Sequence, residues 1–157
     1  MARPAADPVF SLPSEQEVAR ALIQLLQQEQ EKLVDVSVEG LHELLDHKSS
    51  LVAQLTRLTK SRHAALAAQG FDASETGMQG WVECDAGAQA KAPWHALLNL
   101  SAEAKELNRI NGMLIGRHLV RGQTELNILQ GKPQHSNFYG PNGQTAGTSS
   151  GRGLVLG

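Results

Sequence analysis

Leu107-Asn108-Arg109-Ile110-Asn111-Gly112-Met113-Leu114-Ile115 lies at the centre of the stretch that decides the fold, residues 93–130. No proline follows Pro93 within it, and a proline in a first helical turn sacrifices no hydrogen bond, so the stretch reads as one helix. At about 100° per residue, Leu97, Leu100, Ala104, Leu107, Leu114, Ile115, Leu119, Leu126 and Leu129 share one side, with Trp94 at its edge. That arc is roughly 160° wide, enough to pack against two neighbours. The helix would be about 55 Å long, so its partners must be long as well.

Plain packing does not account for all of it. Asn108, Asn111, His118 and Gly122 interrupt the apolar arc. Gly112, Gly116 and Gly122 each cost roughly 1 kcal/mol against alanine inside a helix. Ile110, Met113, Val120 and Ile128 project from the opposite side and give the C-terminal half a second apolar seam. Surplus apolar surface of this kind calls for a cover. The cover is either another helix or a second copy of the chain, or an apolar segment of a partner that docks there.

Composition agrees with a helical chain. Of 157 residues 41% are hydrophobic but only 4% aromatic, which suits leucine seams and leaves little for a β-sandwich core. The length suits one domain. A formal net charge of −2 provides no general attraction to nucleic acid or to an acidic membrane. The basic clusters Lys60, Arg62, His63 and Arg109, Arg117, Arg121 read as solvated helix faces. Cys84 is the single cysteine, so no disulfide framework exists and a reducing compartment is the default. No signal-like or membrane-spanning apolar run occurs, so the expected location is the cytoplasm, without membrane insertion.

Taken in order, residues 1–13 carry Pro4, Pro8 and Pro13 and read as a flexible N-terminal arm. Ser14 with Glu17 matches a capping box, and Val18, Ala21, Leu22, Leu25, Leu26 and Leu33 continue at helical spacing to about Val34. Glu29 and Lys32 lie close to that face. Val34-Asp35-Val36-Ser37-Val38 reads as a tight reversal in which Asp35 or Ser37 caps the next helix. That second helix, 38–69, has a stripe of Leu41, Leu44, Leu45, Leu51, Val52, Leu55, Leu58 and Leu66. Lys48 sits in the stripe, either laying its stem along the seam or pairing with Glu29. Gly70 is placed to end the helix.

Asp72 with Glu75 suggests a short helix carrying Met78, Trp81 and Val82 to close one end of the bundle. Residues 85–92 read as a mobile connector. Gly131 and Pro133 stop the long helix, and 132–157 read as a flexible Gly/Ser-rich tail holding the pair Phe138-Tyr139. The expected fold is therefore all-α: an elongated antiparallel bundle of three long helices plus one short connecting helix, over 14–131, with flexible termini.

Chemistry is expected to be absent. His42 and His47 are five apart, which turns the second ring about 140° from the first, whereas a helical metal pair needs four. No second cysteine, no phosphate-cradling loop and no organised nucleophile accompanies them. Neither a cofactor, a metal nor catalysis is expected.

The chain resembles the FlgN-type flagellar export chaperones. The likeness rests on Trp94, on Leu107-Asn108, Asn111-Gly112 and Leu114-Ile115, and on Tyr139-Gly140-Pro141-Asn142-Gly143-Gln144. Lys48-Ser49-Ser50-Leu51 followed by Leu55, Leu58 and Arg62 is similar to the family's second helix. The likeness covers roughly residues 14–144. It implies a cytosolic chaperone of the flagellar type III export apparatus whose clients are the hook-associated proteins FlgK and FlgL, held by their C-terminal helical ends. It further implies client contacts at Ile110, Met113, Leu114, Val120, Leu126 and Leu129. Asn108, Asn111 and Gly112 belong to its motif, the asparagines as candidates for setting register. Tyr139 and Gly140 would dock the cytoplasmic domain of the export gate protein FlhA. The alternative is a non-enzymatic structural homodimer or adaptor that uses the same seam.

Overall fold

Residues 6–131 are described by the computed structural model, and they form four α-helices and two 3-10 turns with no strand among them. The helices are α1 (Leu12–Val34), α2 (Leu41–Ala68), α3 (Glu75–Glu83) and α4 (Lys91–Leu129). Three long helices are what the leucine spacing predicts, and the short connecting helix is what the capping signal at 72–75 predicts.

The fold begins earlier than the capping box suggests. The Asp7 carboxylate accepts from the Val9 N–H at 3.0 Å and starts a 3-10 turn, Pro8–Ser11, that runs directly into α1. Pro8 and Leu12 are buried, so residues 8–13 belong to the folded body rather than to an arm. Ser14 is therefore already inside the helix.

α1 and α2 form an antiparallel pair whose register is written in two ion pairs, Glu15–Arg62 and Glu29–Lys48. Moving fourteen residues up α1 moves the partner fourteen residues down α2. Two heptads return a side chain to the same face, so both pairs lie on one seam. α4 runs parallel to α1: Gln16 donates to the Pro93 carbonyl near its start, and Asn111 donates to the Leu26 carbonyl further along. The order is up, down, up.

Both ends of the hairpin close in the same way. After α1, Ser37 N–H bonds the Lys32 carbonyl and Val36 N–H bonds the Leu33 carbonyl; after α2, Phe71 N–H bonds Leu66 and Gly70 N–H bonds Ala67. Each is a Schellman closure, which needs a left-handed residue at its apex. Gly70 supplies φ +84° without strain, as its placement in the sequence predicts, whereas Val36 adopts φ 54°. A β-branched residue in that conformation costs on the order of 1–2 kcal/mol. Gly40, rather than Asp35 or Ser37, occupies the capping position of α2, also with positive φ.

Ser74, not Asp72, caps α3, accepting from the Gly77 N–H at 3.0 Å. Met78, Trp81 and Val82 are fully buried and join Leu12, Leu66 and Trp94 in one core cluster. The connector is ordered rather than mobile: Asp85–Ala90 is a 3-10 segment with Gly87 and Ala90 buried. A Cβ on Gly77 would collide with the Asp72 carbonyl, and one on Gly87 with the Trp81 carbonyl. Those two glycines let the backbone fold against itself. The indoles are satisfied by glutamines, Trp81 by Gln69 at 2.8 Å and Trp94 by Gln79 at 3.0 Å.

A second cluster, Leu22, Ile23, Leu25, Leu26, Leu51 and Ala104, continues along the bundle. Packing divides the chain into two units, Met1–His118 and Leu119–Gly157, and all the contacts above lie in the first. In the second, α4 reaches Leu129, and the Gly131 N–H closes on the Ile128 carbonyl with φ 63°. The expected tail, 132–157, lies outside the described residues.

Candidate functional site

Beyond Ala104, polar side chains join the leucines in holding α4 against α1. Asn111 is buried, and its Nδ2 donates to the Leu26 carbonyl at 2.9 Å and to Glu29 Oε2 at 2.8 Å. Glu29, itself buried, also accepts from Lys48 at 3.3 Å, the ion pair that was one of two readings of that lysine. At the last residue of the first unit, the His118 Nε2 donates to the Leu33 carbonyl. Leu97, Ala104, Asn111 and His118 recur every seven residues, so α4 faces α1 with a heptad seam whose far half is amide and imidazole. A hydrogen bond into a helix carbonyl fixes axial position more sharply than a leucine does, because its energy falls steeply with distance and angle. Asn108, one turn earlier, is exposed.

A second polar group sits nearer the start of the bundle. Arg62 forks onto Glu15, Nε to Oε1 at 2.9 Å and Nη2 to Oε2 at 3.1 Å, and reaches Glu75 at 3.0 Å. Its guanidinium lies over the Trp94 ring, 4.8 Å from the centroid. Arg62 is 2% exposed, so it is not on a solvated face as its neighbours Lys60 and His63 suggest. Burial works against its charge, but hydrogen bonds and attraction from Glu15 and then Glu75 outweigh it and hold its pKa above the ordinary value. The sequence gives a signal for this pairing: acids fourteen apart on α1 and bases fourteen apart on α2, in opposite order.

The residues expected to meet a client fall into two sets. In the first unit Ile110 and Leu114 are half-buried and Met113 is 49% exposed. Gly112 is exposed, and a Cβ there would touch nothing. Arg109 binds Glu106 at 2.7 Å and brings an N–H to the Met113 sulfur at 3.1 Å. In the second unit Leu119, Val120, Leu126, Ile128 and Leu129 are all exposed, from 52% to 83%. Helical spacing groups Leu119, Leu126 and Leu129 on one side and sets Val120 and Ile128 away from them. The predicted arc is therefore wholly or partly buried as far as Leu114; Ile115 is already 38% exposed, and beyond His118 apolar residues on both sides are open. Tyr139 and Gly140 lie outside the described residues.

Among the described residues, no group of three or more His, Cys, Asp or Glu is placed to hold a metal ion. His42 meets Asp46 at 3.5 Å on the exposed start of α2. No helix is long and apolar enough to cross a membrane.

A family model described as FlgN protein matches residues 8–147. A protein of Proteus mirabilis described as flagella synthesis protein FlgN is 27% identical over 122 residues, spanning 76% of this chain and 77% of that one. No solved structure matches.

Proposed function

The chain belongs to the FlgN family, and from that premise we propose that it is a cytoplasmic, non-enzymatic chaperone of flagellar protein export. Its clients are hook-associated proteins of the FlgK and FlgL type, held by their C-terminal helical segments. Delivery is to the export gate through the cytoplasmic domain of FlhA, with Tyr139 and Gly140 as docking residues. The observation that carries this reading is the exposed apolar set Leu119, Val120, Leu126, Ile128 and Leu129 at the end of α4.

A client's terminal helix is amphipathic and self-associates if left bare. Laid against an apolar helix face, it is masked in the manner of helix-in-groove recognition. Five side chains at about 2 kcal/mol each give a gross gain near 10 kcal/mol. Association itself costs at least about 4 kcal/mol. The remainder corresponds to micromolar or weaker affinity, which suits a client that must be released. Ile110, Met113 and Leu114 are further candidate contacts in the first unit, and of Asn108, Asn111 and Gly112 it is the buried Asn111 that serves the register of α4.

Calorimetric titration with the C-terminal segment of a FlgK-type protein tests this. Val120→Asp with Leu126→Asp should weaken binding at least about tenfold while helicity is kept, because both residues are exposed. Unchanged affinity in that double variant would overturn the assignment. A dimer that persists at micromolar concentration and dissociates in the same variant would assign the seam to a second copy of the chain.

A further inference from the structure

The bundle of the first unit is open between α2 and α4, above a floor made by α1. Two cavities lie along this cleft. One, about 230 Å³, is walled by Leu22, Leu26, Lys48, Val52, Ala104 and Asn108. The other, about 270 Å³, is walled by Leu55, Thr59, Arg62, Trp94, Leu98 and Ser101. Lys105 lines both. The cause is visible in the heptad seam of α4: where a leucine would fill the space beside Leu22 and Leu26, the chain has Ala104.

Size, spacing and charge together specify what fits. An apolar cavity of about 150 Å³ already holds a benzene ring, so both are large enough for a leucine or phenylalanine side chain; the first is mostly apolar, and in the second Leu55, Trp94, Leu97 and Leu98 give an apolar side beside the polar Glu15, Arg62 and Glu75. Along either wall their centres are about eight residues apart, or about 12 Å at the helical rise, which is close to two turns. The carboxylates near the cleft are engaged: Glu15 by Arg62, Glu75 by Arg62 and His63, and Glu29 by Lys48 and Asn111. Lys105, by contrast, is exposed and makes no ion pair among the described residues. Lys48, with 24% of its side chain exposed, also reaches the rim, but its charge is already paired with Glu29.

We propose that this cleft docks an amphipathic helix of a partner protein, with two apolar side chains two turns apart entering the cavities and a carboxylate between them meeting Lys105. The added helix would turn the three-helix arrangement into a four-helix one, the packing that α2 and α4 leave incomplete. All the residues involved lie at or before Asn108, so the cleft is distinct from the exposed end of α4. It does not depend on what binds there.

The test uses the full chain and a synthetic alanine-rich helical peptide, with leucines seven residues apart and a glutamate four residues after the first. Titration followed by amide and indole resonances should move Trp94 and Ala104, which line the cavities, and leave the Trp81 indole in place. Lys105→Glu should weaken this peptide on the order of tenfold. The same variant should prefer a peptide with lysine in the glutamate position. Val52→Arg, at an exposed wall residue, should weaken both peptides. Val120→Asp with Leu126→Asp should change neither, which separates this result from the client-binding one. Equal affinity of the unaltered chain for the glutamate and lysine peptides, shifts that avoid Trp94 and Ala104, or no saturable binding would each overturn the proposal.

Discussion

Glu15 and Glu29 sit two heptads apart on the same face of α1, each buried and each paired with a cation on α2, yet their surroundings differ. Glu15 meets a buried arginine that forks onto it and stacks on Trp94, within a cluster where Leu12, Leu66, Met78, Trp81 and Val82 are no more than 2% exposed. Glu29 meets a partly exposed lysine at 3.3 Å and an asparagine, and the apolar residues along that part of the bundle are open, with Leu45, Val52 and Met113 between 42% and 49% exposed. One end is locked by a dry, bidentate pair; the other is aligned by hydrogen bonds and leaves surface free. Stability is concentrated where α3 closes the bundle, and most of the exposed apolar surface where it does not.

The sharpest way to break this contrast is to remove one cation from each pair. Arg62→Ala strands a buried carboxylate and a bare indole face and should lower unfolding free energy by about 3–5 kcal/mol in urea denaturation. Lys48→Ala should cost about 1 kcal/mol, because Glu29 keeps Asn111 and the lysine is partly solvated already. Equal losses would erase the distinction. Asn111→Ala should fall between them, at about 2 kcal/mol, since it leaves the Glu29 carboxylate with one fewer buried donor.

The two Schellman closures make a smaller comparison of the same kind. Gly70→Ala should destabilise by about 1 kcal/mol, the cost of a side chain at φ +84°. Val36→Gly should instead stabilise by about 0.5 kcal/mol, because strain relief exceeds the added unfolded-state entropy and Val36 is 60% exposed. A loss of stability in Val36→Gly would mean that its side chain has a packing role the hairpin does not reveal.

These cases also explain what the sequence discloses. Leucine spacing identifies the three long helices, because burial on one face imposes a period of 3.6 whatever the partner is, whereas the leucine-free α3 is legible only from its capping signal. Ends are harder: Ser14 and Asp72 have capping chemistry, but Ser11 and Ser74 hold the positions, since tertiary packing of Leu12 and Met78 sets where the chain enters. The order of 85–92 comes from backbone contacts that only glycine permits, and small residues look the same in composition whether packed or loose. Arg62 reads as one of a basic cluster because its neighbours are basic, while its partner Glu15 is 47 residues away. The apolar seam near the end of α4 is legible as surplus, but periodicity does not say whether surplus is covered. Only coordinates place Leu119, Val120 and Leu126 in the open.

Hydrogen exchange on the full chain, with and without a FlgK-type C-terminal segment, probes the division of labour most directly. Amides at 119–129 should gain protection when the segment is added, while those around Glu15 and Arg62, already slow, stay unchanged. Unaltered exchange at 119–129 under saturating segment would contradict it.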